Sequence, residues 1–350
     1  MKAEKTVFKL FSVMLLGLFL STLYLLPKAA ASVETEDTAQ EGAESRQASE
    51  KQTAENQKPA QKPSNPEDEL PVIKSGTNLV TLNLTVTDPY GRYVTGLTKD
   101  QFEVYDDKVP QKIEFFSSED APISIGVIFD VSGSMKGRMD RSYAAMRRFF
   151  EVGHDRDEYF LVTFNNGAKL TQDFTTDSKM ITNSLFMVEP KGQTALYDAA
   201  YIGIEKVRRG RYSRKAILLI SDGQDNNSRY TFKELKQLVK EADVQIYAIG
   251  ITNVFGAREL DVDGQVLLEE MTRLTGGRAF FPSNDAELTE VITRIGLELR
   301  HQYSISYEPT GIAQDGKWHK LKVKLNAPKG MPSLTVRTRE GYFAKQKAVN

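Results

Sequence analysis

The residues that could do chemistry gather where apolar runs end. Ile123-Ser124-Ile125-Gly126-Val127-Ile128-Phe129 empties into Asp130-Val131-Ser132-Gly133-Ser134-Met135, so one carboxylate and two hydroxyls follow at alternate positions. A run this apolar reads as a strand buried on both faces, which favours an inner strand of a parallel sheet. Such sheets bind ligands at the carboxyl ends of their strands. Three hard oxygens at that place suit a hard divalent cation, Mg2+ first, with Mn2+ or Ca2+ as substitutes. Two more loops carry oxygens of the same kind. In Gly192-Gln193-Thr194-Ala195-Leu196-Tyr197-Asp198, Thr194 stands at the start of a helix. A second buried strand, Lys215 to Ile220, ends at Ser221-Asp222-Gly223-Gln224-Asp225. Taken singly, each residue has a plainer role. Asp130 and Ser132 suit a turn and a helix cap, Thr194 a cap, and Asp222-Gly223 a turn. Only together, at three strand ends, do they point to a metal ion. Asp225 reads as a support for the third loop, and Asp198 as part of a solvated helix face.

Strands and helices alternate from about Pro122 to Arg300, as a positioning frame for such a site requires. Helical periodicity marks Met139 to Phe150, Ala195 to Val207, Phe232 to Ala242, the stretch through Leu267, Met271 and Leu274, and Leu288 to Arg300, with a short helix after Asp177. Glu158 to Phe164 and Ala168 to Gln172 form a strand pair around Asn165-Asn166-Gly167. Val244 to Ile249 and Ala279 to Phe281 are further strands. This order predicts an α/β fold, a doubly wound, mostly parallel sheet covered by helices on both faces. The flanks are all β. Leu79 to Thr87, Phe102 to Tyr105 and Lys112 to Phe116 precede the alternating region, with Asp106-Asp107-Lys108 separating the last two. Tyr303 to Tyr307, Lys320 to Leu325 and Leu334 to Thr338 follow it. Neither set suffices to fold alone, so the two together should form one small β-sandwich-like domain into which the α/β domain is inserted.

The rest of the chain bounds location and function class. Lys2, Lys5 and Lys9 precede an apolar Leu10 to Leu26, then Pro27 and Ala29-Ala30-Ala31, the pattern of a signal peptide over residues 1–31 or of an N-terminal membrane anchor. Residues 32–71 are polar, with few large apolar side chains, and read as a disordered linker. The domain expectation is then 72–120 and 301–345 for the two parts of the β domain and 121–300 for the inserted one. The 350 residues contain no cysteine, which excludes disulfides, thiolate metal sites, thiol catalysis and a lipoprotein anchor. A net charge of −1 does not suggest nucleic acid as a partner. His154, His301 and His319 are scattered, without metal-ligand spacing, and read as surface or packing residues.

From Pro122 to Arg300 the chain resembles von Willebrand factor type A domains. Asp130, Ser132, Ser134, Thr194 and Asp222 match, in order, the positions of that family's metal-ion-dependent adhesion site. The flanks resemble a bacterial exported subfamily, the acidobacterial-type VWFA-related proteins. That likeness rests on Thr85-Val86-Thr87-Asp88 through Phe102-Glu103-Val104, on Gln302-Tyr303-Ser304-Ile305-Ser306-Tyr307, and on Asp315-Gly316-Lys317-Trp318-His319-Lys320-Leu321 through Arg339-Glu340-Gly341-Tyr342-Phe343. The resemblance implies a non-enzymatic, exported adhesion or scaffold module whose cation grips an Asp or Glu carboxylate of a protein partner. Two rivals stand beside it: an Mg-dependent hydrolase or phosphoryl-transfer enzyme, and a structural module whose metal only stiffens loops. Against the enzyme, Asp130-Val131-Ser132 lacks the second aspartate of a D-x-D phosphatase motif. The chain also has no Walker loop and no G-x-S-x-G elbow, and no histidine adjoins the expected ligands.

Overall fold

The computed structural model describes residues 79–251 and 262–345. The expected signal or anchor, the linker and the first residues of the β domain lie outside these. Among the described residues no helix is long and apolar enough to cross a membrane.

The first strands belong to the flanking β domain: β1 (Val80–Thr87), β2 (Phe102–Asp106), β3 (Val109–Gln111) and β4 (Ile113–Ser117). β2 and β3 form a hairpin whose turn residues, Asp107 and Lys108, both have positive φ, 42° and 72°. That turn hand suits the right-handed twist of paired strands. The short β3, Val109-Pro110-Gln111, was not expected from the sequence. It holds a proline, which only a sheet edge tolerates, and it lies at the edge of its sheet.

The inserted domain follows as β5 (Ile123–Asp130), α1 (Met139–Val152), β6 (Glu158–Phe164), β7 (Ala168–Thr175), α2 (Ser178–Phe186), α3 (Leu196–Val207), β8 (Arg214–Ser221), α4 (Phe232–Glu241), β9 (Gln245–Gly250), α5 (Val262–Leu274), β10 (Ala279–Phe280) and α6 (Asp285–Arg300). Its sheet runs β10-β9-β8-β5-β6-β7, parallel throughout except for the antiparallel β6–β7 hairpin. β5 is central, and all its residues are buried. Its side chains sort by parity. Ile123, Ile125, Val127 and Phe129 pack with Met146, Ile181 and Ile295 of α1, α2 and α6. Ile128 packs with Ile204, Leu235 and Leu268 of α3, α4 and α5. Two apolar layers on one sheet are what a doubly wound fold requires. Gly126 makes room for a ring: a Cβ there would stand 2.4 Å from Cζ of Phe160.

After α6 the chain returns to β structure as β11 (Gln302–Tyr307), β12 (Trp318–Leu325), β13 (Thr335–Arg337) and β14 (Gly341–Phe343). Two antiparallel sheets result, β13-β1-β11-β4 and β14-β12-β2-β3, each with strands from both sides of the insertion. Leu82, Leu84, Val104, Ile305 and Tyr307 share their core. Ser117 pairs with Ser304, so the chain leaves and re-enters this domain at neighbouring points. This is the expected α/β domain inserted in a β domain. One buried carboxylate couples them. Glu298 on α6 accepts from Tyr247 Oη at 2.8 Å and from Thr85 Oγ1 on β1 at 3.5 Å, and forms an ion pair with Arg337 on β13.

Candidate functional site

The carboxyl ends of β5 and β8 lie side by side, because Phe129 pairs with Ile220. Asp130, the last residue of β5, is fully buried. Its Oδ1 accepts the Ser132 backbone N–H at 2.8 Å, and its Oδ2 accepts the Ser221 hydroxyl at 2.7 Å. The first contact bends the chain into a tight loop, and the second ties that loop to the end of β8. Ser132 is buried and Ser134 exposed, yet their hydroxyl oxygens stand 2.9 Å apart. Both therefore face one point at the mouth of the sheet.

The second loop is drawn in by backbone contacts. Gly133 N–H donates to Gly192 O at 3.0 Å, and Lys191 N–H to Val131 O at 2.9 Å. Gly192 needs its positive φ of 84°, and a Cβ there would lie 2.5 Å from Asn166 Oδ1. Thr194 is buried, with its N–H given to Asn226 Oδ1 at 2.8 Å and its carbonyl accepting the N–H groups of Asn226 and Asn227. The third loop thus grips the second. Asp225 strengthens the grip: its Oδ1 accepts from Leu196 N at 2.8 Å, Tyr197 N at 3.3 Å and the Ser228 hydroxyl at 2.5 Å. It caps α3 from another loop, the supporting role read from the sequence. Asp222 is buried. Its Oδ2 pairs with Arg138 Nη1 at 3.1 Å, and Arg138 also donates to Ile251 O at 3.0 Å. Gly223 and Gly264 meet backbone to backbone, with a Cβ on Gly223 only 2.9 Å from Gly264 O.

All five expected ligand residues therefore sit on three loops laced together at one end of the sheet. Their electrostatics fit a cation. Burial pushes the Asp130 carboxyl up to about 6; the hydrogen bond with Ser132 opposes this, and the nearby Asp222 charge adds to it. A positive ion would relieve that repulsion. Cis ligands on an octahedral Mg2+ with bonds of roughly 2.0–2.1 Å stand about 2.9 Å apart, the spacing of the two serine hydroxyls. The donor set is all hard oxygen, as Mg2+ prefers.

Several residues escaped the sequence reading. Asn166 was read only as a turn residue, but its Oδ1 accepts Gln193 N at 2.7 Å and its carbonyl accepts Asn227 Nδ2 at 2.6 Å. Arg138, Ser221, Asn226 and Ser228 carried no signal either, since each has a partner on another segment: Asp222, Asp130, Thr194 and Asp198. Two readings need correction. Asp198 is not on a solvated face: it is buried and accepts Arg229 N at 2.9 Å, Tyr230 N at 3.2 Å and Arg229 Nε at 2.9 Å, holding the segment that leads into α4. His319 is more than a packing residue, for its buried ring lies between the carboxylates of Asp107 and Asp315.

Residues 125–224 match the family model of the von Willebrand factor type A domain. No curated protein matches the sequence. Among solved structures, the conserved hypothetical protein BatB from Bacteroides thetaiotaomicron is 17% identical over 50% of this chain and 98% of its own, with a TM-score of 0.42. The PilB minor pilin from Streptococcus sanguinis is 16% identical over 53% of this chain and 63% of its own, with a TM-score of 0.43. A von Willebrand factor type A protein from Catenulispora acidiphila is 11% identical over 76% of this chain and 75% of its own, with a TM-score of 0.44.

Proposed function

We propose that this chain, which carries a von Willebrand factor type A domain, is an exported, non-enzymatic binding module that holds a partner protein's Asp or Glu carboxylate through a divalent cation. The observation that carries the proposal is the convergence of Ser132 and Ser134, 2.9 Å apart, with the buried carboxylates of Asp130 and Asp222 at one sheet end. Mg2+ is the first choice of ion, with Mn2+ or Ca2+ as substitutes. Ser132, Ser134 and Thr194 would offer hydroxyls, and Asp130 and Asp222 would act directly or through water. Neutral hydroxyls leave much of the ion's charge uncompensated, so an open coordination position favours an anionic ligand.

The chain's own residues supply rigidity and charge. Ser221 and the Ser132 N–H hold both Asp130 oxygens, and Arg138 holds one Asp222 oxygen. The histidines offer no general base at this site. The His154 ring Nδ1 accepts the Arg156 backbone N–H, His301 packs on Tyr93, and His319 lies in the β domain. This supports grip over turnover. Export rests on the basic and apolar pattern of residues 1–31 and an alanine-rich cleavage sequence.

The test is capture on the immobilised chain from envelope extract, with Mg2+ or EDTA, followed by identification of what is retained. A partner held in Mg2+ should be released by EDTA and by a short Asp-containing peptide, and lost in Asp130→Ala. Capture unchanged by all three refutes the metal-bridged grip. Turnover of a phosphoester that Asp222→Ala abolishes would favour the enzyme instead. Sequencing the N-terminus of the mature chain checks cleavage after Ala31.

A further inference from the structure

We propose that the β domain contains a second divalent-cation site, suited to Zn2+, formed by His319 Nδ1, Asp106 Oδ1 and Asp107 Oδ2. Asp106 ends β2, Asp107 begins the positive-φ turn, and His319 lies on β12, the strand paired with β2. Two contacts fix this corner: the Asp107 backbone N–H donates to Lys320 O, and the Asp107 side-chain Oδ1 accepts Lys320 N–H, both at 2.9 Å. His319 Nδ1 then stands 2.8 Å from Asp107 Oδ2 and 3.8 Å from Asp106 Oδ1. The three atoms lie within 4.8 Å of one another.

Proximity of acidic groups alone would carry little. The independent observation is that Asp106 Oδ1 and His319 Nδ1 are both buried without a hydrogen-bond partner, on residues only 0% and 6% exposed. Buried polar atoms are seldom left so, and here two face each other. Every other polar atom of the pair is engaged. Asp106 Oδ2 accepts the hydroxyls of Tyr307 and Tyr342, each at 2.7 Å. His319 Nε2 is 3.1 Å from Asp315 Oδ1. A proton placed on Nε2 for Asp315 leaves a lone pair on Nδ1 pointing at two carboxylates. A carboxylate on the far ring nitrogen is the usual partner of a metal-bound histidine. A proton on Nδ1 would serve the 2.8 Å contact to Asp107 but leave Asp106 Oδ1, at 3.8 Å, without a partner. One ion between them serves all three atoms.

The donor set points to the class of ion. Imidazole nitrogen with carboxylate oxygen suits Zn2+ over Mg2+ or Ca2+. Tetrahedral ligands on Zn2+, with bonds of about 2.0–2.2 Å, stand about 3.3 Å apart, between the two observed spacings. Asp107 is partly exposed, so the fourth position opens to water. The site joins a turn before the α/β insertion to a strand after it, residues 213 apart in the chain, and so acts as a clip on the split β domain.

The test uses the full chain carrying Asp130→Ala and Asp222→Ala, so that the first site cannot supply the signal. After chelation and desalting, this protein should take up one Zn2+ per chain, show a raised melting temperature, and give the visible Co2+ absorption of a tetrahedral site. His319→Gln should remove uptake. Asp107→Asn, which keeps the Lys320 contact, should weaken it at least tenfold with the circular dichroism spectrum unchanged. Asp315→Asn should weaken Zn2+ binding about 10–100-fold, the usual effect of losing such a carboxylate partner. No stoichiometric uptake, or equal uptake in His319→Gln and Asp107→Asn, overturns the proposal.

Discussion

Replacing Asp130 by asparagine tests the electrostatic reading of the first site. Burial raises the Asp130 carboxyl from 3.8 to about 6 in the metal-free fold. A carboxyl raised on folding contributes stability that is fully present below its unfolded value and is lost as pH rises through the folded one. The metal-free protein therefore loses stability from this group between about pH 4 and pH 6. The gap corresponds to about 3 kcal/mol, at about 1.4 kcal/mol for each pKa unit. Asp130→Asn removes the charge and keeps an acceptor for the Ser132 N–H. In EDTA at pH 7.5 it should melt higher than the parent by several degrees, at about 2–4 °C per kcal/mol, and the advantage should vanish by pH 4. Comparing the two proteins cancels the other titrating groups, several of which change in the opposite sense. Mg2+ should reverse the order, stabilising the parent and leaving Asp130→Asn unmoved. Parent affinity for Mg2+ should fall about tenfold at pH 5, where a proton competes for the carboxylate. The assay is thermal melting by circular dichroism across pH, with and without Mg2+. Parallel melting curves in EDTA would refute the buried-charge argument, and a full Mg2+ response in Asp130→Asn would refute its role as a ligand.

Three further substitutions probe the frame. Glu298→Ala leaves Arg337 and Tyr247 without their shared buried partner and should cost about 3–5 kcal/mol, read by urea denaturation; a loss below about 1 kcal/mol would deny the coupling of α6 to the β domain. Gly126→Ala places a methyl 2.4 Å from the Phe160 ring in a close-packed sheet and should cost about 1–3 kcal/mol, seen as a lower melting temperature with Mg2+ binding retained. Asp225→Ala removes the acceptor for Leu196 and Tyr197; it should cost about 1–2 kcal/mol and weaken Mg2+ binding measured by calorimetry, whereas unchanged affinity would mean the third loop holds itself.

Much of the inserted domain was legible because its signals are local. A strand buried on both faces must be apolar at nearly every position, as in β5 and β8, and an amphipathic helix must repeat its apolar side chains every third or fourth residue, as in α1 and α4. Asp130, Ser132, Ser134 and Asp222 stood out because a parallel sheet exposes its carboxyl strand ends together; Thr194, expected at a third strand end, lies instead on the loop between α2 and α3. β3 was missed because Pro110 breaks its pattern and β14 because only pairing with β12 makes it a strand, and Asp198 was misplaced because its burial depends on a segment some thirty residues away.

Sequence alone therefore determined the alternation of elements, the split β domain and the oxygen-bearing residues that three loops bring together. Tertiary structure decided which groups share a charge. Arg138 meets Asp222, Glu298 meets Arg337, and His319 meets Asp106 and Asp107 only after strand register has closed. Periodicity records which face a residue shows to the core. It holds no record of which distant side chain will share that face, and in a buried site that neighbour sets the charge, the proton and the metal.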